Sequence, residues 1–139
     1  SAGLDRAAGW INALIEREIA RGVPAARIVL AGFSQGGAVA LHTGLRYRDG
    51  LAGIMGLSTY LPARDQLAQA GTAANRQTPI FLAHGHHDAV LAFDLGVASR
   101  QALEAHGYVV EWHEYPMEHQ VCLEEVQAIG VWLTRVLAL

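Results

Sequence analysis

Apolar positions fall in two rhythms along this chain. Over residues 4–21, Leu4, Ala7, Ala8, Ile11, Leu14, Ile15 and Ile19 recur at helical spacing, and Gly22 with Pro24 ends the run. The pattern predicts an amphipathic helix. Residues 27–32 are instead continuously apolar across Ile28-Val29-Leu30-Ala31, which on a strand signals burial on both faces and hence a parallel sheet. A helix is expected over 36–46, a second buried strand over 51–57 (LAGIMGL) and a third over 79–84 (PIFLAH). Residues 58–78 are polar and rich in small side chains, with weak helical character around 65–70. A helix over 92–106 closed by Gly107, a strand over 108–115 and a final amphipathic helix over 120–137 complete the order. Strand and helix alternate throughout. The expected class is therefore α/β, a mostly parallel sheet of about four strands flanked by helices, in one domain over residues 1–139. Trp10, Trp112 and Trp132 sit on these elements among apolar neighbours and are expected to act as core or surface anchors.

Composition narrows the partners. With 139 residues, 52% of them hydrophobic, the chain can bury a real core. The net charge is -3 with acids and bases interleaved, so no basic stripe is present to follow a phosphate backbone, which argues against a nucleic-acid partner. The single cysteine, Cys122, rules out a disulfide within the chain, suits a reducing compartment, and is expected to be an inert core residue. No apolar stretch approaches the roughly 20 residues needed to span a bilayer. The opening Ser1-Ala2-Gly3-Leu4-Asp5 lacks a charged-then-apolar signal pattern, and the absence of an initiating methionine is consistent with a piece of something longer.

Three strand ends carry candidate chemistry. The first is followed by Gly32-Phe33-Ser34-Gln35-Gly36-Gly37, a serine at a tight strand-to-helix turn with glycines on both sides to avoid clashes with the neighbouring strand and helix. Such a turn lifts the hydroxyl clear of the sheet. The N–H of Gln35, at the helix start, is the natural first donor to an oxyanion forming beside it. A serine hydroxyl needs a base. The third strand is followed by His84-Gly85-His86-His87-Asp88 and the fourth by Pro116-Met117-Glu118-His119, both on loops at the carboxyl edge where Ser34 also sits. Asp88 would orient the imidazole of His119, and His119 would serve as general base and then general acid. The order serine, aspartate, histidine fits a nucleophile carried on an α/β sheet. Among the rivals, Asp94 is expected to be an exposed helical acid, His113 to pack or face solvent on its strand, His106 to interact with a helix dipole, and Glu118 to be a solvated loop acid.

At these residues the chain resembles the carboxylesterase and acyl-protein thioesterase family of α/β-hydrolases, its bacterial carboxylesterases in particular. "AGFSQGGAVAL", "LSTYLP", "HGHHDAVL" and "YPMEHQV…IGVWL" occur in the family's order through nearly the whole chain. The resemblance implies that Ser34, Asp88 and His119 form a catalytic triad and that no cofactor is needed. It also implies short- to medium-chain acyl esters or thioesters as substrates, a cytoplasmic setting and a minimal lid. Relatives carry an N-terminal portion with further strands and an HG-rich loop that supplies a second oxyanion donor, and no segment before Leu4 matches it. The expected fold is thus a truncated α/β-hydrolase whose first strand is an apolar edge, a template for pairing. Homo-oligomerisation, or capture of a complementary fragment, is the expected consequence.

Two readings of other classes compete. His84-x-His86-x-Asp88 matches the opening of an H-x-H-x-D-H zinc cluster, although Ala89 stands where that pattern needs another histidine and the serine turn is left unexplained. A non-catalytic half-domain that binds a partner or acyl ligand would account for the absent strands, but it has no need of a nucleophile, base and acid in order.

Overall fold

The computed structural model describes residues 2–139; Ser1 lies outside them. Helix α1 (Ala2–Ala20) ends at Gly22, whose φ of 102° is a conformation glycine adopts without steric cost. Strand β1 (Val29–Phe33) runs into α2 (Gln35–Arg46), and β2 (Gly53–Leu57) follows. The connection from β2 onward holds a short helix α3 (Leu67–Ala70) between two 3-10 turns, in agreement with its weak helical signal. Strand β3 (Ile80–Gly85), helix α4 (Phe93–Ala105), strand β4 (Val110–Tyr115) and helix α5 (Leu123–Val136) complete the chain.

All strand pairs are parallel and the spatial order is β1-β2-β3-β4. A sheet that grows in one direction keeps its crossover helices on one face, because parallel crossovers share a hand. Alternation along the strands then divides the core in two. Leu30, Ile54, Ile80 and Leu82 pack against Ile15 of α1, Leu41 and Leu45 of α2, and Leu103 of α4. Met55, Phe81 and Ala83 face the other way, onto Trp132, Ile129 and Leu133 of α5. Each large apolar side chain so buried contributes about 1.5–3 kcal/mol.

The two central strands are buried on both faces, as their apolar runs predict, but β1 is not. Its Leu30 is buried, whereas Ala31 and Phe33, on the α5 face, are exposed. One helix about 10–12 Å wide covers two or three strands spaced about 4.8 Å apart, so α5, centred over β2 and β3, leaves the β1 edge open on that side. Trp132 is fully buried against Gly53, where an added Cβ would lie 2.5 Å from the indole. Trp112 is half-buried beneath the Arg100 guanidinium, and Trp10 stands 67% exposed on α1. Cys122 corrects a second expectation: it is half-buried at the N-terminal cap of α5 rather than in the core, because the chain there is still a surface loop entering a helix. Among the described residues no helix is long and apolar enough to cross a membrane.

The β2-to-β3 connection is tied down by buried polar groups. Asn75 donates through Nδ2 to the carbonyls of Tyr47 and Asp49, while its Oδ1 accepts from the Leu51 N–H and the Thr78 hydroxyl. The Leu61 N–H donates to Ser99 Oγ on α4 at 2.8 Å. These bonds fix the segment that leaves the carboxyl end of β2.

Candidate active site

The carboxyl ends of four parallel strands lie along one edge, and each delivers a loop to it. Ser34 follows β1 with φ 57° and ψ -123°, a backbone that non-glycine residues rarely adopt and that costs of order 1–3 kcal/mol. It persists because its neighbours fix it: the Ser34 N–H donates to the Leu57 carbonyl at 2.8 Å, and the Ser34 carbonyl accepts from the Gly37 and Ala38 N–H groups. The glycines of the turn differ in what they permit. An added Cβ at Gly32 would collide with the Gly36 carbonyl, and one at Gly37 would lie 2.8 Å from the Gly32 oxygen and from Thr59. A Cβ at Gly36 would meet nothing. The close approach of strand and helix therefore depends on Gly32 and Gly37, and the second glycine of the G-x-S-x-G spacing is sterically free.

Asp88 and His119 reach Ser34 from the other end of the sheet because their two loops interlock. The His86 N–H donates to the Tyr115 carbonyl at 2.9 Å and the His87 N–H to the Met117 carbonyl at 3.0 Å. Gly85 admits that contact, since a Cβ there would strike the Met117 carbonyl. His119 Nδ1–H donates to Asp88 Oδ2 at 2.7 Å. His119 Nε2 stands 3.0 Å from Ser34 Oγ. With Nδ1 protonated toward the carboxylate, Nε2 is left to accept from the serine hydroxyl. Asp88 Oδ1 accepts from the Val90 and Leu91 N–H groups at 2.9 and 2.8 Å. Burial pushes the Asp88 carboxyl up, but the hydrogen bonds from His119, Leu91 and Val90 outweigh it and hold the group below the usual carboxylate range. The Asp88 side chain is fully enclosed and that of His119 is 17% exposed, so the line runs from a dry end to a wet one. The Phe33 ring lies 4.8 Å from the His119 ring.

Three residues far apart in sequence, Ser34, Asp88 and His119, thus form one hydrogen-bonded line, and Gln35 opens α2 beside it. The first N–H groups of a helix have no partner four residues back, and Gln35 carries the first of them. The other candidates fall elsewhere. Asp94 is exposed in the first turn of α4 and Glu118 is exposed in its loop. His106 donates to the Ala102 carbonyl at the end of α4, and His113 pairs with Glu111 and stacks on Phe81.

The zinc arrangement does not form. His84 is buried with Nε2 donating to the Leu91 carbonyl at 2.8 Å, whereas His86 turns outward to Glu114 at 2.7 Å. Among the described residues no group of three His, Cys, Asp or Glu side chains converges as metal ligands would. Two roles escaped the sequence. His84 braces the acid loop through Leu91, and Thr59 donates from its hydroxyl to the Ser34 carbonyl at 2.5 Å. Only the position of Thr59 at the end of the second strand could have suggested it.

A parallel sheet in this order, with a strained serine at a strand-to-helix turn and helices on both faces, is the α/β-hydrolase fold. The chain belongs to the phospholipase/carboxylesterase family, whose profile matches residues 1–137. It is 44% identical over 136 residues to acyl-protein thioesterase 1 of Neurospora crassa, a match covering 96% of this chain and 56% of that protein. With acyl-protein thioesterase 1 of Yarrowia lipolytica it shares 42% identity over 134 residues, covering 94% of this chain and 59% of that protein. The crystal structure of Arabidopsis thaliana SOBER1 is similar with a TM-score of 0.92 at 30% identity, covering 98% of this chain and 65% of that one. The chain therefore spans somewhat more than half the length of the curated relatives it matches.

Proposed function

We propose that this chain is a serine carboxylesterase that hydrolyses short- to medium-chain acyl esters, thioesters included, through an acyl-enzyme on Ser34. Ser34 Oγ attacks the acyl carbonyl while its proton passes to His119 Nε2. Asp88 holds His119 in the accepting tautomer and stabilises the imidazolium that results. The oxyanion of the tetrahedral intermediate is received by the Gln35 N–H, and its collapse breaks the ester bond as His119 returns the proton to the departing alcohol or thiol. Water then repeats the sequence against the acyl-enzyme and releases the acid. The observation that carries this reading is the continuous hydrogen-bonded line from Asp88 through His119 to Ser34.

The test is turnover of p-nitrophenyl butyrate together with labelling by a fluorophosphonate probe. Ser34→Ala is expected to lower turnover by about 10³-fold or more and to abolish labelling. Undiminished hydrolysis by a pure Ser34→Ala sample rejects the reading. Hydrolysis undetectable in the unaltered chain, with ester still bound, supports the half-domain reading instead.

The exposed β1 edge supports a further part of the proposal, that the chain self-associates or takes up a complementary segment there. A small-molecule ester is the proposed substrate, and the lone unpaired cysteine fits a cytoplasmic setting.

A further inference from the structure

We infer that Thr59 is a positioning residue for the oxyanion donor, a role that rests on the serine-hydrolase reading above. Its hydroxyl donates to the Ser34 carbonyl at 2.5 Å. That carbonyl belongs to the same peptide unit as the Gln35 N–H. A trans peptide is planar, with its C=O and N–H pointing in opposite directions, so fixing the oxygen aims the hydrogen. The Gly37 and Ala38 N–H groups reach the same oxygen at 3.0 and 3.2 Å from within α2, and Thr59 reaches it from the loop that follows β2. Three donors on one carbonyl leave the peptide plane little freedom to rotate. They also polarise the peptide, which strengthens its N–H as a donor.

The placement of Thr59 is built in. Ser58, before it, adopts φ 51° and donates its N–H to the Ala83 carbonyl at 2.8 Å, so the chain turns sharply away from β2. Thr59 is 4% exposed. Its methyl occupies the slot left by two glycines: a Cβ at Gly37 would come within 2.8 Å of it and one at Gly56 within 2.7 Å. Two residues further on, the Leu61 N–H is tied to Ser99 Oγ. The side chain therefore has two separable parts, a methyl that fills space and a hydroxyl that holds the donor peptide.

Substitutions that remove one part at a time test the role. Thr59→Val keeps the shape and loses the hydroxyl; Thr59→Ser keeps the hydroxyl and loses the methyl. With p-nitrophenyl butyrate, Thr59→Val is expected to lower kcat roughly ten- to a hundredfold with KM nearly unchanged, less than the 10²–10³-fold typical of deleting a donor outright. Thr59→Ser is expected to retain most of kcat. Thermal melts accompany each variant, and if the valine variant melts early, Thr59→Ser against Thr59→Ala makes the same hydroxyl comparison. Full kcat in Thr59→Val, or an equal loss in Thr59→Ser, overturns the inference while Ser34→Ala in the same assay keeps its large loss of turnover. Undiminished hydrolysis in Ser34→Ala overturns the underlying reading and this one with it.

Discussion

Glu125 sits in the first turn of α5, fully buried, and neither carboxyl oxygen reaches a hydrogen-bond donor in good geometry. Burial pushes its carboxyl up from the ordinary value of 4.5, and the nearby Cys122 N–H and His113 offset this only in part. The consequence for stability has a definite sign. Between the ordinary and the raised pKa the folded chain keeps a proton that the unfolded chain has released, so the stability contributed by this group falls as pH rises through that window. Glu125→Gln removes the titration. It is expected to gain stability relative to the unaltered chain as pH rises from about 4 toward neutrality, read from urea unfolding at several pH values; a difference independent of pH contradicts this. Asp88 shows the opposite balance: it is less deeply buried, and it has His119 and two backbone donors where Glu125 has no such set. Two buried carboxyls thus differ in charge preference through both their burial and their partners.

Among the elements, the β1–α2 turn is the most demanding. Gly32→Ala forces a Cβ into the Gly36 carbonyl, a backbone contact that cannot rotate away. A loss of about 1–3 kcal/mol or more is expected, with turnover falling alongside as the Ser34 backbone shifts. Gly36→Ala, one turn along in open space, is expected to be neutral or stabilising by up to about 1 kcal/mol, since alanine is the better helix former. Urea unfolding of the pair measures the contrast, and similar losses in both variants would sink the steric account. The sequence made the turn visible through its small residues after an apolar run, yet it could not separate Gly32 and Gly37 from Gly36, because that distinction depends on how closely the helix crosses the strand. For the same reason the apolar run of β1 looked buried on both faces. Its pattern matches that of β2 and β3, and only the position of α5 exposes Ala31 and Phe33.

At the scale of the whole sheet, β1 is the end strand among the described residues, with Ala31 and Phe33 exposed beside its edge. An apolar edge of this kind recruits another strand. The chain is expected to associate as its concentration rises, and Ala31→Lys, which places a charge on the exposed face of the edge strand, is expected to shift it back toward monomer in sedimentation velocity. A strictly monomeric profile at every concentration removes this part of the proposal. The curated relatives are longer, and the present chain spans somewhat more than half of each. By itself, the order of apolar runs determined an α/β sheet and put Ser34, Asp88 and His119 at the ends of three strands, because periodicity and turn chemistry are local properties written in neighbouring residues. Tertiary structure alone decided that the acid and histidine loops interlock at Gly85, that His84 and His86 part company, that Thr59 meets the Ser34 carbonyl and that the Glu125 carboxyl is buried. Those outcomes depend on distances between segments far apart in the chain, which are fixed only when the sheet and its helices pack.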